Sequence, residues 1–322
     1  MNRIRWGIIG CGDVTEKKSG PGFQNAGNSE LVAVMRRNAA LAEDYAARHN
    51  VPRWYDNSDK LINDPEVNAV YIATPPSSHM KYTIDSAKAG KPVYVEKPMA
   101  LSYNECQIMI KACEDAKVPL FVAYYRRALP NFLKIKSLID EKVIGHVLCI
   151  NICYYAKPGE KDKDETNWRV NPDIAGCGYF CDLASHMFDL LQFYFGDIIS
   201  AKGITSNQGK RYKTEDMVNA IFNFECGIQG AGTWCFNACE NLDRTEIVGT
   251  KGKIIYPTFT DEPFHLIKDK KIEEYGIKYP QHVHQPLIQT VVNELLGVGI
   301  SPSTGKTGSK TNLVIDKVLG RI

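Results

Sequence analysis

The chain has 322 residues, of which 44% are hydrophobic and 24% charged, and its formal net charge is +2. That length suffices for two domains with separate cores. The near balance of charge and the lack of a long basic block exclude an electrostatic case for nucleic acid or an anionic membrane, and no apolar run reaches bilayer length.

Residues 4–9, 31–34, 69–73, 93–95 and 120–123 are short apolar runs, and the stretches 39–49, 79–89 and 103–116 have helical texture. Ser102-x-x-Glu105 ahead of the last of these is a capping box. Strands alternating with helices of this length predict βαβ units and a parallel sheet covered on both faces. Beyond residue 124 the texture changes. A helix is predicted over 130–141 and a long strand over 147–155, followed by a lysine-rich, acidic loop over 157–165 that is expected to be solvated and mobile. A helix over 180–195 precedes strand-like runs at 199–205, 217–224, 228–236, 244–248 and 253–256, with the turn Gly249-Thr250-Lys251-Gly252 before the last. Consecutive strands with tight turns predict an antiparallel sheet. Helices over 282–296 and 308–319 close the chain.

Gly10-Cys11-Gly12 follows the first strand and opens a helix, the context a dinucleotide turn requires. Gly10 permits the tight turn, Gly12 lets the backbone approach a pyrophosphate, and Asp13 and Val14 begin the helix beneath it. Thr15 occupies the third small-residue position, and Gly20-Pro21-Gly22 interrupts the helix soon after. Lys17 and Lys18, read as lying near a helix N-terminus, oppose its dipole unless an anion offsets them. The strand at 31–34 runs into Arg36-Arg37 with no acid to bond a ribose hydroxyl, so NADP is expected over NAD. The fold class is therefore α/β: a doubly wound parallel Rossmann domain over 1–123, then an α+β domain over 124–322 with a large, mostly antiparallel open sheet for substrate binding and oligomerisation.

Glu96-Lys97-Pro98 follows the strand at 93–95, at the carboxyl edge where α/β ligands bind, and Thr74-Pro75-Pro76-Ser77-Ser78-His79 is a rigid loop on the same edge. In the second domain Gly176-Cys177-Gly178 precedes Cys181-Asp182-Leu183-Ala184-Ser185-His186. Asp182 and His186, four apart, share one helix face. With Trp168-Arg169 and Ser303-Thr304-Gly305, these motifs resemble the Gfo/Idh/MocA family of glucose-fructose oxidoreductase and inositol dehydrogenase relatives, over nearly the whole chain. The resemblance implies a catalytic group of Lys97, Asp182 and His186. It also implies cofactor contacts from Thr74, Pro75, His79, Glu96, Arg126, Trp168 and Arg169, and substrate contacts from Lys97, Tyr125, Tyr155 and His186. Ala184 stands where family members usually have glycine, and Tyr125 where many have asparagine.

Oxidising a secondary alcohol removes a hydride and a hydroxyl proton. Histidine is suited to exchange that proton near neutral pH, Asp182 to orient the ring, and Lys97 to hold the oxygen and stabilise developing charge. The expected activity is hydride transfer between NADP (NAD is the alternative) and a sugar, polyol or related cyclic substrate. The alternatives are a glycosidase that oxidises its sugar transiently and a non-catalytic dinucleotide-binding regulator. Residues 154–168 are expected to set the substrate, and His282 and His284 are read as starting a helix that can reach the cleft, with no role assigned to them. Apolar positions on both faces of 220–224 and 230–236 predict a homodimer or homotetramer through the C-terminal sheet. The ten cysteines include no C-x-x-C pair, so reduced core thiols are expected, with neither disulfide nor metal. No secretory leader is expected, and the location is read as cytoplasmic.

Overall fold

Val, Ile and Ala recur in the early apolar runs because those strands are buried on both faces, where no alternation with polar residues is needed. In the computed structural model, which describes residues 2–164 and 167–322, the runs become β1 (Ile4–Ile9), β2 (Ser29–Met35), β4 (Ala69–Ile72), β5 (Val93–Val95) and β6 (Leu120–Val122). A short strand that the sequence pattern does not reveal, β3 (Arg53–Tyr55), completes a six-stranded sheet in the order β3-β2-β1-β4-β5-β6, parallel throughout. Helices α1 (Asp13–Lys17), α2 (Gly20–Asn25), α3 (Ala39–Arg48), α4 (Ser58–Ile62), α5 (His79–Lys88) and α6 (Tyr103–Asp115) connect the strands. The capping box of α6 forms with a shift. Ser102 Oγ accepts the Glu105 amide at 3.3 Å, while the Glu105 carboxylate accepts the amide of Leu101 rather than that of Ser102. Because α1 ends at Lys17, Lys17 and Lys18 stand at a helix C-terminus, where positive charge is favourable. The expected conflict with the dipole is thereby corrected.

The second unit holds α7 (Pro130–Asp140), β7 (Val147–Tyr155), α8 (Pro172–Ala175) and α9 (Gly178–Phe195), then the strands β8 (Ile198–Ser206), β9 (Met217–Phe224), β10 (Gln229–Cys235), β11 (Leu242–Gly249) and β12 (Lys253–Tyr256). A hairpin that was not expected, β13 (Phe264–Lys268) and β14 (Lys271–Tyr275), follows. Its sheet runs β14-β13-β12-β11-β7-β10-β9-β8, antiparallel except where β7 and β10 pair in parallel. One face is closed by α9. Phe188 meets Trp234 and Phe222 at ring distances of 5.4 and 5.5 Å, and Phe195 meets Phe224 at 5.6 Å. β9 alternates strictly, with Val218, Ala220, Phe222 and Phe224 inward and Asn219, Ile221 and Asn223 outward.

The units are not two successive halves of the chain. One comprises Met1–Leu129 and Pro280–Ser309, the other Pro130–Tyr279 and Lys310–Ile322. The expectation that everything past 123 forms the second domain therefore differs from the structure over 124–129 and, more substantially, over 280–309. That segment holds α10 (Gln285–Leu295) and the start of α11 (Gly305–Val318), and it is tied to β6. Thr304 bridges Phe121, and Ser303 Oγ donates to the Val122 carbonyl at 2.7 Å. A Cβ on Gly308 would lie 2.6 Å from Val122, so only glycine lets the helix approach the strand this closely.

Two further expectations change. The stretch 157–165 is tethered up to Asp164, with Glu165 outside the described residues. Asp162 is buried and accepts hydrogen bonds from the Gly159 amide (2.7 Å) and the Tyr179 hydroxyl (2.8 Å). Cys177 and Cys181 form a disulfide, because the N-cap of α9 and the residue four along bring their Cα atoms to 5.1 Å. Among the described residues no helix is long and apolar enough to cross a membrane.

Candidate active site

The dinucleotide turn is built by glycine geometry. Gly10 has φ +94, and a Cβ there would strike Thr74 and the Ala73 backbone, so the turn lies against the end of β4. At Gly12 the opposite holds, since a Cβ would meet nothing closer than 3.9 Å. The amides of Gly10 and Cys11 are taken by the Met35 carbonyl, and those of Thr15 and Glu16 by Gly12. Among the described residues the amides of Gly12, Asp13 and Val14 have no such partner, which leaves them for an anion. Thr15 is fully buried, its hydroxyl donating to the Gly12 carbonyl at 2.7 Å and its carbonyl accepting Tyr45 Oη at 2.9 Å. It therefore ties the turn to α3 through Tyr45. These residues fit a pyrophosphate.

Arg36 lies beside the turn, its Nη1 3.4 Å from the Cys11 carbonyl, and the side chain of Arg37 is exposed. Burial pushes the Cys11 thiol up to about 11, so it stays protonated beside the turn. Arg48, paired with Asp44 and bidentate to Glu16 at 2.8 Å, and the neighbouring His49 hold the Glu16 carboxyl down at about 2.

The carboxyl ends of β4 and β5 carry the next group. Pro75 leads into a 3-10 turn, Pro76–Ser78, and Ser78 Oγ donates to Thr74 Oγ1 at 2.9 Å. His79 was expected to face the cofactor. It is fully buried instead, with Nε2 2.7 Å from the Thr74 carbonyl and Nδ1 3.1 and 3.2 Å from those of Pro98 and Met99. Burial outweighs these carbonyls and lowers its pKa, so the neutral ring ties the Thr74 loop to the segment after Lys97. Glu96 is 7% exposed, and its carboxylate accepts the Tyr71 hydroxyl and, at 3.1 Å, the Lys97 amide. The Lys97–Pro98 peptide is cis. Tyr125 and Arg126 begin a 3-10 turn after β6 and are both largely buried, with the Arg126 guanidinium 4.8 Å over the Tyr125 ring.

In the second unit Asp182 and His186 lie one turn apart on α9, and His186 is 4% exposed. Arg169 Nε approaches Asp182 Oδ2 at 3.7 Å, and its guanidinium stacks on Trp168 at 4.6 Å. The Phe259 ring meets the imidazole of His186 edge-on at 5.9 Å, and its amide donates to Asp243 Oδ2 at 2.6 Å. Tyr154 meets Phe259 edge-on at 5.3 Å, and burial together with Asp243 and Asp182 pushes its hydroxyl up to about 12. Tyr154, not Tyr155, thus shares a side with Asp182. Strand period places Tyr155 on the opposite, open face beside Cys153, which corrects its assignment to the substrate. Phe259, in the loop after β12, and Asp243, in β11, belong to no sequence motif.

Residues 4–124 match the family model of an oxidoreductase family with an NAD-binding Rossmann fold, and residues 132–255 match the GFO/IDH/MocA C-terminal domain. The chain is 41% identical over 321 residues to an oxidoreductase designated P35 of Formosa agariphila, covering 99% of each. It is 25% identical to a 1,5-anhydro-D-fructose reductase of Ensifer adhaerens, covering 94% of this chain and 92% of that protein. Its fold is that of the aldose-aldose oxidoreductase of Caulobacter crescentus, crystallised with glycerol. The TM-score is 0.88 at 23% identity, covering 98% of this chain and 96% of the other.

Proposed function

The chain belongs to the Gfo/Idh/MocA oxidoreductase family, and from that premise we propose that it is an NADP-preferring dehydrogenase or reductase acting on a secondary alcohol or ketone of a sugar, polyol or related cyclic compound. The observation that carries this reading is that the open Gly12 turn and Lys97 both stand at the carboxyl edge of one parallel sheet, around the place where strand order reverses between β1 and β4. The sugar-directed names of relatives such as the anhydrofructose reductase support the substrate class.

When bound, the nicotinamide supplies the hydride chemistry. The amides of Gly12, Asp13 and Val14 would hold its pyrophosphate, and Arg36 and Arg37 a 2′-phosphate. His186 takes the hydroxyl proton on oxidation and returns it on reduction. Asp182 stabilises the imidazolium while Arg169 limits how far the carboxylate can swing. Lys97 holds the reacting oxygen and stabilises negative charge as it develops there. Phe259 and Tyr154 give an apolar surface suited to the C–H faces of a sugar ring.

The outward face of the second sheet supports self-association. Ile204 and Ile221 are 78% and 65% exposed and border a groove of about 450 Å³ with Lys202, Asn219 and Thr233.

A panel of sugars and polyols, assayed in both directions with both cofactors by NAD(P)H absorbance, tests the reading. Turnover with at least one sugar is expected, with kcat/KM for NADP at least about tenfold above NAD, and Arg36→Ala with Arg37→Ala reducing that ratio toward one. No dinucleotide binding by calorimetry would overturn it.

A further inference from the structure

His284 carries no motif and lies far along the chain from Lys97, yet the return of 280–309 to the first unit places it against the residue that precedes Lys97. It is 1% exposed, and its Nδ1 lies 3.6 Å from Glu96 Oε1. Among the described residues that nitrogen has no hydrogen-bond partner, so the carboxylate is the polar group it faces. The imidazole is fixed from the other side by Tyr125, whose ring stacks on it at 4.2 Å and 26°. Arg126 in turn lies over Tyr125, giving a layered imidazole, phenol and guanidinium.

Glu96 is held at both oxygens. Oε1 accepts the Tyr71 hydroxyl and faces His284, and Oε2 accepts the Lys97 amide. Three distant pieces of chain therefore converge on one buried carboxylate: the end of β4, the end of β5 and the N-cap of α10. Burial raises the Glu96 carboxyl, and the Tyr71 hydroxyl, the Lys97 amide and the positive charges of Lys97 and Lys18 act against that rise. Among the described residues, the charged and titratable groups around His284 include Glu96, Lys18, Lys97, Arg126 and the Tyr125 phenol. Burial and the three cations keep its ring uncharged, so near neutral pH it orients the carboxylate by its dipole and shape and does not carry protons.

We propose that His284 is a positioning residue for Lys97, acting through the Glu96 carboxylate that it and Tyr71 hold in place. The inference rests on Lys97 taking part in turnover, as proposed above. It also gives Glu96 a different task from the cofactor contact expected of it: the carboxylate anchors the peptide from which the Lys97 side chain departs.

The test uses the whole enzyme with a sugar substrate from the panel. His284→Phe keeps a ring against Tyr125 and removes the nitrogen facing Glu96. Its kcat is expected to fall about tenfold, with the dissociation constant for NADPH and the melting temperature close to wild type. Glu96→Gln should lower kcat at least as much, because an amide offers one acceptor oxygen where the carboxylate offers two, to Tyr71 and to the Lys97 amide. The double variant should lose no more than Glu96→Gln alone, since the two act as a unit. His284→Gln, whose amide reaches the same carboxylate, should recover kcat to within about threefold of wild type. Wild-type kcat in His284→Phe, additive losses in the double variant, a kcat loss matched by weaker NADPH binding, or a Gln variant as impaired as the Phe variant would each overturn the role. Lys97→Met is measured in parallel. If it keeps wild-type turnover, the catalytic reading of Lys97 fails by itself. A dead Lys97→Met beside an unaffected His284→Phe removes only the positioning role.

Discussion

The two sheets solve the same burial problem in opposite ways. In the first, β4, β5 and β6 are buried at every position, and an aromatic cluster of Trp6, Phe23, Tyr71 and Tyr94 fills one side with ring distances from 4.8 to 6.3 Å. In the second, only the face toward α9 is closed, and the other presents Ile204 and Ile221 to solvent. A parallel sheet needs crossover helices to connect its strands, and those helices cover both faces as a consequence of topology. An antiparallel sheet made of hairpins brings no such cover. Its second face is therefore available for another molecule, and the alternation of β9 is the mark of that difference.

Placing a charge on the open face gives the largest expected effect. Ile221→Glu puts a carboxylate in each copy of the surface proposed to self-associate, and burying such charges unpaired would cost several kcal/mol per copy. Sedimentation velocity should show an oligomer for the wild type. The variant should run as a folded monomer, with association weakened by more than about a thousandfold. A monomeric wild type at micromolar concentration, or a variant that stays assembled, would leave the open face without this partner. The same substitution on a buried position of β4 would unfold the chain instead, which is the contrast in its sharpest form.

The same difference governs what could be read from the sequence. Runs such as those of β1, β5, β7, β9 and β12 are recognisable to the residue because their burial pattern, continuous or alternating, ends abruptly at a turn. The β13–β14 hairpin is not. Its turn residues Asp269 and Lys270 have φ of +51° and +62°, a conformation usually marked by Asn-Gly, and β14 is mostly exposed. Within the candidate site, the residues named in advance are those in dense local motifs: Gly10 and Gly12, Glu96 and Lys97, Asp182 and His186. Phe259, Asp243 and His284 escaped because each acts through a contact between distant parts of the chain. Tyr155 was chosen over Tyr154 because nothing local tells which side of β7 faces α9. The tether of 280–309 to β6 was invisible for the same reason, since it depends on a glycine fitting against Val122.

The proposed roles also fall in different units: the dinucleotide turn and Lys97 in the first, Asp182 and His186 on α9 in the second. His186→Ala is expected to lower kcat by about a hundredfold or more, equivalent to about 2.7 kcal/mol of lost transition-state stabilisation. NADPH affinity should be unchanged, because the turn is built entirely within the first unit. Stopped-flow turnover with fluorescence titration of NADPH separates the two effects. Unchanged kcat would remove His186 from the mechanism, and lost cofactor affinity would show that the division of labour is not as clean as the residues suggest.

The smallest effect is in pH. The first unit buries two imidazoles, His79 and His284, whose pKa values are held below the usual histidine range by desolvation. Below about pH 6.5 the unfolded chain takes up protons on both, whereas the native state resists until lower pH, so acidification removes stability. Glu96 acts in the opposite sense. Burial raises its carboxyl, and the native state gains a proton there before the unfolded chain does. With two imidazoles against one carboxyl, the net change is a loss, bounded at about tenfold in the folding equilibrium per pH unit for each uncompensated proton. In the second unit, Glu246 is held low by Lys253 and Arg244 despite its partial burial. Its contribution is present above the ordinary carboxylate pKa and is lost only as pH falls through the depressed value. Hydrogen exchange between pH 7 and 5.5, corrected for intrinsic rates, should show protection falling several-fold more in β1, β4 and β5 than in β9 and β10. Equal loss in both sheets would mean that the buried histidines do not set the acid limit. In the His284→Phe variant the difference between the sheets should narrow, because one of the two imidazoles that open it is gone.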